Sequence, residues 1–224
     1  MKTIQGIIYD FDGVLFASKR ANLAYYNVIL QEFKAPPVDL DDEAKVFLCH
    51  TANSAKVFEV LLGPERVQPA LDFAARLGYR QFMPFMDMEP NLVSSLKALA
   101  EEMTLGVATN RGKSTFDILL YFDLAQYFKV VVTCQDVKNP KPDPEMLLLA
   151  AERMKIGKDH LLYIGDSELD RQAAGRAGIL FAAYKGEVRG DLAVEDHSEM
   201  ISLFRESSGR NLTISKTLPS STLR

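Results

Sequence analysis

The chain has 224 residues, with 26 Lys and Arg against 30 Asp and Glu, a formal net charge of −4 and a pI near 5.5. That balance argues against a partner made of nucleic acid or anionic membrane, because both are held by clustered Lys and Arg. At 47% hydrophobic and 25% charged residues, the composition is that of a globular protein with material for one sizeable core and a small second domain. No apolar run approaches the roughly 20 residues that a membrane-spanning helix needs.

Residues 1–10 carry one Lys and then a strand-like run ending in acid, not the basic, apolar and small-residue plan of an export signal, so no export is expected. Cys49 and Cys134 lie far apart without a CxxC partner, which disfavours a disulfide framework or a structural zinc site and fits a reducing cytoplasm.

In chain order, residues 4–9 are short, β-branched and closed by Asp-Phe-Asp-Gly, the pattern of a buried strand that stops in a tight loop. Residues 103–108, 130–133, 161–164 and 179–183 repeat that signature, and helical patterns over 91–101, 113–122, 144–154 and 167–177 lie between or around them. Strand–helix alternation predicts an α/β fold, a Rossmann-like, doubly wound parallel sheet with ligands at the carboxyl ends of its strands. Residues 14–85 break the alternation. They offer helical segments at 21–33, 43–49, 54–62 and 67–77 with no convincing strand, punctuated by Pro36-Pro37 and Gly63-Pro64, and 83–90 reads as a return linker. The expected organisation is therefore an α/β core over residues 1–13 and 86–206, an inserted α-helical domain over 14–85, and a C-terminal tail over 207–224.

Polar groups are expected at the ends of successive strands: Asp10 and Asp12 after the first, Thr109 after the second, Lys141 after the third, and Asp166 with Asp170 after the fourth. Taken singly, each has a plain structural reading. An Asp-x-Asp-Gly turn bonds its own backbone, a Thr closing a strand caps the next helix, Lys141 between prolines is a solvated loop residue, and Gly165-Asp166-Ser167 is a helix cap. As a set they specify one chemistry. Asp10 and Asp166 offer hard oxygen ligands for Mg²⁺, and Lys141 with the polar groups around Thr109 suits the three oxygens of a phosphoryl group. Residues two apart at a strand end share a side, so Asp10 can attack phosphorus while Asp12 serves as acid and base, with Phe11 turned into the protein.

With Asp10-Phe11-Asp12-Gly13-Val14-Leu15, Ala108-Thr109-Asn110, Lys141-Pro142-Asp143-Pro144 and Gly165-Asp166-Ser167-Glu168-Leu169-Asp170 in that order, the chain resembles the haloacid dehalogenase-like superfamily of hydrolases. The match runs from the first strand to about Tyr184, and the insert after the first strand looks like the family's helical cap; the phosphoglycolate phosphatase-like subgroup is the nearest resemblance. It implies Asp10 as nucleophile and metal ligand, Asp12 as acid/base and backbone metal ligand, and Thr109, Asn110 and Lys141 as phosphate binders. It also implies Asp166 as a direct ligand of Mg²⁺ and Asp170 as a residue orienting the metal's waters.

Family members that act on carbon–halogen bonds lack the second acid that Asp12 supplies, so a phosphate ester is the implied substrate. Val14 and Ala17-Ser18 depart from the more common Thr and Asp-Ser of relatives. Hexose-phosphate mutases of the same group share the Asp-Gly-Val form, which leaves a sugar-phosphate mutase as the alternative; a catalytically silent phosphate-binding regulator is a second one. Arg20, Tyr25, His50, Thr51, Asn53 and Lys56 are candidate substrate contacts from the cap, each with an equally plain reading as helix surface or satisfied core. A Cys49–His50 nucleophile pair is rejected because adjacent residues diverge on a helix. Arg111 and Lys113, just beyond Thr109, offer positive charge to an anionic substrate, with solvated bases at a helix start as the favoured reading, and Phe82, Met83, Phe85 and Met86 read as core or hinge packing. The expected partner is a small phosphorylated metabolite, and the expected state is a monomer or weak homodimer.

Overall fold

The structure, a computed structural model, describes residues 3–186 and 188–205. The expected tail, 207–224, lies outside the described residues.

Strand β1 (Gly6–Tyr9) is followed by a two-residue strand β2 (Phe16–Ala17) and helices α1 (Lys19–Glu32), α2 (Glu43–Thr51), α3 (Ser54–Leu62) and α4 (Val67–Leu77). A 3₁₀ turn over Arg80–Phe85 leads into β3 (Asp87–Met88), which pairs antiparallel with β2. Then come α5 (Leu92–Ala100), β4 (Thr104–Thr109), α6 (Ser114–Tyr121), β5 (Val130–Thr133), α7 (Glu145–Met154), β6 (Leu161–Gly165), α8 (Glu168–Ala177), β7 (Leu180–Tyr184), β8 (Leu192–Val194) and α9 (His197–Arg205).

Strands β5-β4-β1-β6-β7-β8 form one sheet in that order, and every pairing in it is parallel. The expected α/β class and doubly wound parallel sheet are borne out. Its strands sort their side chains by alternation: Ile7 and Tyr9 join Leu105, Val107, Leu162 and Ile164 in one apolar cluster, while Ile8 joins Ala108, Val132, Leu161 and Tyr163 in the other. Burial on both faces explains why these strands read as continuous apolar runs rather than as an alternating pattern. Chain order reverses about β1, whose neighbours are β4 on one side and β6 on the other. A crevice opens at the carboxyl ends of the strands at such a reversal.

Helices α1 to α4 carry an apolar cluster of their own, including Leu23, Tyr26, Ile29, Val57, Phe58 and Ala74. Strand β2 corrects the expectation that 14–85 holds no strand: two residues are too few to set a period, and the strand exists only through pairing with β3, some 70 positions on. Strand β8 and helix α9 were likewise unforeseen. Phe82, Met83 and Met86 are buried as expected, whereas Phe85 is half exposed. Both cysteines are free thiols. Among the described residues no helix is long and apolar enough to cross a membrane.

Candidate active site

Asp10 leaves the end of β1, with its N–H donating to the Ile164 carbonyl at 2.8 Å, so the chain stays extended for one residue past the strand. Phe11 turns inward, fully buried with its ring centroid 5.0 Å from that of Phe16, and Asp10 and Asp12 face the crevice from the same stretch of chain. Gly13 then adopts φ +85°, and a Cβ there would sit 2.0 Å from Asp166 Oδ2. Only glycine meets both conditions, a left-handed backbone and the close approach of the loop after β6. At Gly165 close approach alone applies: a Cβ there would lie 2.4 Å from Cβ of Asp170 in α8.

Lys141, in the loop after β5, is the centre of the pocket floor. Its ammonium donates to Asp10 Oδ1 at 2.6 Å, Asp170 Oδ1 at 2.7 Å and the Tyr163 hydroxyl at 2.8 Å, one acceptor for each of its three N–H bonds. Tyr163 in turn donates to Asp170 Oδ1 at 2.5 Å. The other oxygen of Asp170 accepts from the backbone N–H of Ser167 at 3.0 Å and from its hydroxyl, closing a capping box at the start of α8. Asp170 thus has a full set of protein partners and is wholly buried.

The charges explain the titration behaviour. Burial and the neighbouring charge of Asp170 push the Asp10 carboxyl up to about 7, against the attraction of Lys141. Burial would likewise raise Asp170, but Lys141, Ser167 and Tyr163 outweigh it and hold that carboxyl below its usual range. For Lys141, burial disfavours the charge and the two carboxylates more than restore it, so the ammonium is held above its ordinary value. Oxygens from Asp10, Asp166 and Asp170 lie within 4.8 Å of one another. An all-carboxylate group of this size fits a hard divalent cation, and a carboxyl raised by crowding is a place where added positive charge is favourable. Asp12 lies outside that group.

Thr109 ends β4 with its side chain buried and its hydroxyl oxygen accepting from the Arg111 N–H at 3.1 Å. Asn110 uses its side chain on main chain: Oδ1 accepts from Lys141 N at 2.9 Å, and Nδ2 donates to the carbonyls of Lys141 and Thr51, each at 3.1 Å. The peptide between Lys141 and Pro142 is cis.

Asp12 is held differently from Asp10. Arg111 grips both its oxygens, Nε to Oδ2 at 2.9 Å and Nη2 to Oδ1 at 2.6 Å, and Oδ1 also accepts from the Ser18 hydroxyl and from Asn22 Nδ2 at 3.3 Å. Burial alone would raise this carboxyl; Arg111 overrides it and holds it below the usual range. The expectation that Arg111 is a solvated base is overturned: its side chain is 7% exposed, lies 4.5 Å over the Tyr79 ring and also bonds Asn22. Sequence could not show this because the partners come from Asp12, Asn22 and Tyr79, three separate segments. Tyr163, inside a strand, was missed for the same reason.

Above the floor is a cavity of about 750 Å³ lined by Asp10, Asp12, Thr109, Asn110, Arg111 and Lys141 on one side and by Tyr25, His50, Thr51 and Asn53 on the other. Arg20 and Lys56, the remaining two cap candidates, are exposed and do not line it. His50 is buried, with Nε2 4.0 Å from Asp166 Oδ2.

Residues 7–184 match the family model described as haloacid dehalogenase-like hydrolase. The chain belongs to the haloacid dehalogenase-like hydrolases. A phosphoglycolate phosphatase of Shigella dysenteriae is 31% identical over 198 residues, 78% of this chain and 79% of that protein. A haloacid dehalogenase-superfamily hydrolase of subfamily IA from Geobacter sulfurreducens is 38% identical and superposes with a TM-score of 0.78, covering 89% of this chain and 99% of the other. A β-phosphoglucomutase from Clostridium difficile, 15% identical with a TM-score of 0.77 over 91% of this chain and 96% of that one, shares the fold. Within the haloacid dehalogenase-like hydrolases this chain is phosphoglycolate phosphatase-like, a phosphoric monoester hydrolase.

Proposed function

We propose that the chain hydrolyses a small phosphorylated metabolite in the cytoplasm with Mg²⁺ bound, through an aspartyl-phosphate on Asp10. The observation that carries this reading is the Lys141 ammonium 2.6 Å from Asp10 Oδ1 on the floor of a cavity that Thr109 also lines. Asp10 and Asp166 would hold the ion, with the Asp12 carbonyl as a further oxygen. Bound there, Mg²⁺ would draw charge off the phosphoryl oxygens.

Lys141 and Thr109 hold the phosphoryl oxygens while the remaining oxygen of Asp10 faces phosphorus. An electron pair of Asp10 forms the new O–P bond as the ester P–O bond breaks; Asp12, which must first leave the Arg111 guanidinium and take a proton from solvent, gives that proton to the departing alkoxide. Asp12 then takes a proton from water as that water attacks phosphorus, the Asp10–phosphorus bond breaks, and phosphate leaves. Asp170 and Tyr163 keep Lys141 aimed at Asp10, and Asn110 pins the loop that carries it. The helical segment 14–85 acts as the cap that covers the substrate and excludes water.

The test is steady-state release of inorganic phosphate with Mg²⁺ from a panel of phosphorylated metabolites, phosphoglycolate among them. Turnover by the wild type, with Asp10→Asn falling by about four orders of magnitude or more, is the expected result. Full activity in Asp10→Asn would remove Asp10 as nucleophile.

A further inference from the structure

The grip of Arg111 on Asp12 engages both oxygens of that carboxylate. Oδ1 accepts from Ser18, Asn22 and Arg111, and Oδ2 takes Nε of the same guanidinium. To carry a proton to a leaving alcohol, Asp12 must first loosen this grip, because the guanidinium favours its ionised form. The guanidinium is equally committed: it lies over the Tyr79 ring, with a further bond to Asn22 and a long contact of 3.4 Å to Ser114. It also lines the same cavity as Asp10 and Thr109.

We propose that Arg111 is a specificity-determining switch, which holds Asp12 back until a second anionic group on the substrate takes its place on the guanidinium. The inference rests on the phosphatase reading and deepens it by naming the substrate class: small phosphate monoesters that carry another anion on the alcohol portion. The physical reason is one of exchange. A buried guanidinium stripped of the Asp12 carboxylate is costly, whereas one passed from one carboxylate to another is not. The planar fork accepts a carboxylate or a phosphate by two parallel N–H bonds. A substrate with a neutral alcohol group offers no such replacement, so Asp12 stays where it is. Tyr79 and Asn22 hold the plane of the fork as the exchange occurs, and Ser18 and Asn22 remain as donors to Asp12.

The decisive comparison uses esters of one size: phosphoglycolate, the phosphate ester of glycolamide, and ethylene glycol bisphosphate. The wild type is expected to favour the carboxylate ester over the amide by about ten-fold or more in kcat/KM, through both parameters. In Arg111→Gln that ratio falls toward one: the carboxylate ester loses kcat and gains KM, while kcat for the amide rises because Asp12 is released. Arg111→Lys, which keeps charge but not the fork, is expected to keep a smaller preference than the wild type. The bisphosphate arm reports whether the fork accepts phosphate as well as carboxylate. A second readout needs no turnover: calorimetric binding of 3-phosphonopropionate and its amide to Asp10→Asn, with and without Arg111→Gln. The acid should bind about ten-fold more tightly than the amide only while Arg111 is present. Equal carboxylate-to-amide ratios in the wild type and Arg111→Gln, in turnover and in binding, overturn the switch. Loss of phosphate release from every ester, with the binding preference intact, overturns the phosphatase reading instead.

Discussion

Asn110 and Lys141 are tied to each other by two hydrogen bonds that run in opposite senses, Lys141 N–H to Asn110 Oδ1 at 2.9 Å and Asn110 Nδ2 to the Lys141 carbonyl at 3.1 Å. The pair fixes the main chain of Lys141, and so fixes where its ammonium can reach. The third bond of the amide, to the Thr51 carbonyl at the end of α2, brings the helical segment to the same point.

Asn110→Ala removes all three bonds and leaves two buried main-chain groups of Lys141 to find other partners. The expected cost is about 1–3 kcal/mol in stability, and a fall of about ten- to a hundred-fold in kcat/KM as the ammonium drifts from Asp10. Chemical denaturation and phosphate-release kinetics measure the two effects. Asn110→Asp keeps the acceptor but loses the donors and should fall between the wild type and the alanine variant. Unchanged kinetics in a folded Asn110→Ala protein would remove the amide from the positioning of Lys141.

Gly13→Ala meets two obstacles at once. The residue would have to hold φ +85°, and its Cβ would overlap Asp166 Oδ2 at 2.0 Å. Relief requires the Asp12-Gly13 loop and the Asp166 loop to move apart, which separates Asp166 from Asp10. Activity should fall by about a hundred-fold or more, and thermal unfolding should come earlier by several degrees for a cost of about 1–3 kcal/mol. Near-normal turnover in Gly13→Ala would mean that the spacing of the two loops is not critical.

The contrast between what was foreseen and what was not has one physical origin. Asp10, Asp12, Thr109, Lys141 and Asp166 could be placed from sequence because each follows a strand whose apolar run marks its own end, and parallel strands bring their ends together. The buried state of Arg111 could not, since it depends on Asp12, Asn22 and Tyr79 meeting a residue that lies 99 positions after Asp12. Tyr163 reads as one more apolar residue of β6 until Lys141 and Asp170 are seen around its hydroxyl. Strands β2 and β3 have two residues each, and neither has a pattern without the other.

Tyr163→Phe isolates the contribution of one hydroxyl to the Lys141 cluster. The ring, buried beside Phe181, is kept. The ammonium then loses one acceptor and Asp170 loses one donor. A stability loss of about 1–2 kcal/mol is expected, with kcat reduced by about ten-fold and KM little changed, because Lys141 still bonds Asp10 and Asp170. Phosphate-release kinetics separate the two parameters, and a rise in KM alone would place the hydroxyl in substrate binding rather than in the aim of Lys141.

His197 gives the fold a pH dependence at a distance from the chemistry. It opens α9, and its Nε2 donates to the Val14 carbonyl at 2.7 Å, just beyond the Asp12-Gly13 turn. The ring packs 4.9 Å from Tyr184 and 6.1 Å from Tyr9. Burial lowers its pKa below the ordinary 6.5, outweighing the Val14 carbonyl and the charges of Glu89 and Asp196, while Lys185 lowers it further. The unfolded chain therefore binds a proton more readily than the native one. This part of the stability is complete above about pH 6.5 and is lost as the pH falls below it. Between about pH 7.5 and pH 5.5 the wild type should lose more stability than His197→Gln, a variant that keeps an N–H donor and cannot titrate. Parallel stability curves for the two proteins, measured by denaturant unfolding across that range, would show that the imidazole stays neutral in both states or charges without cost.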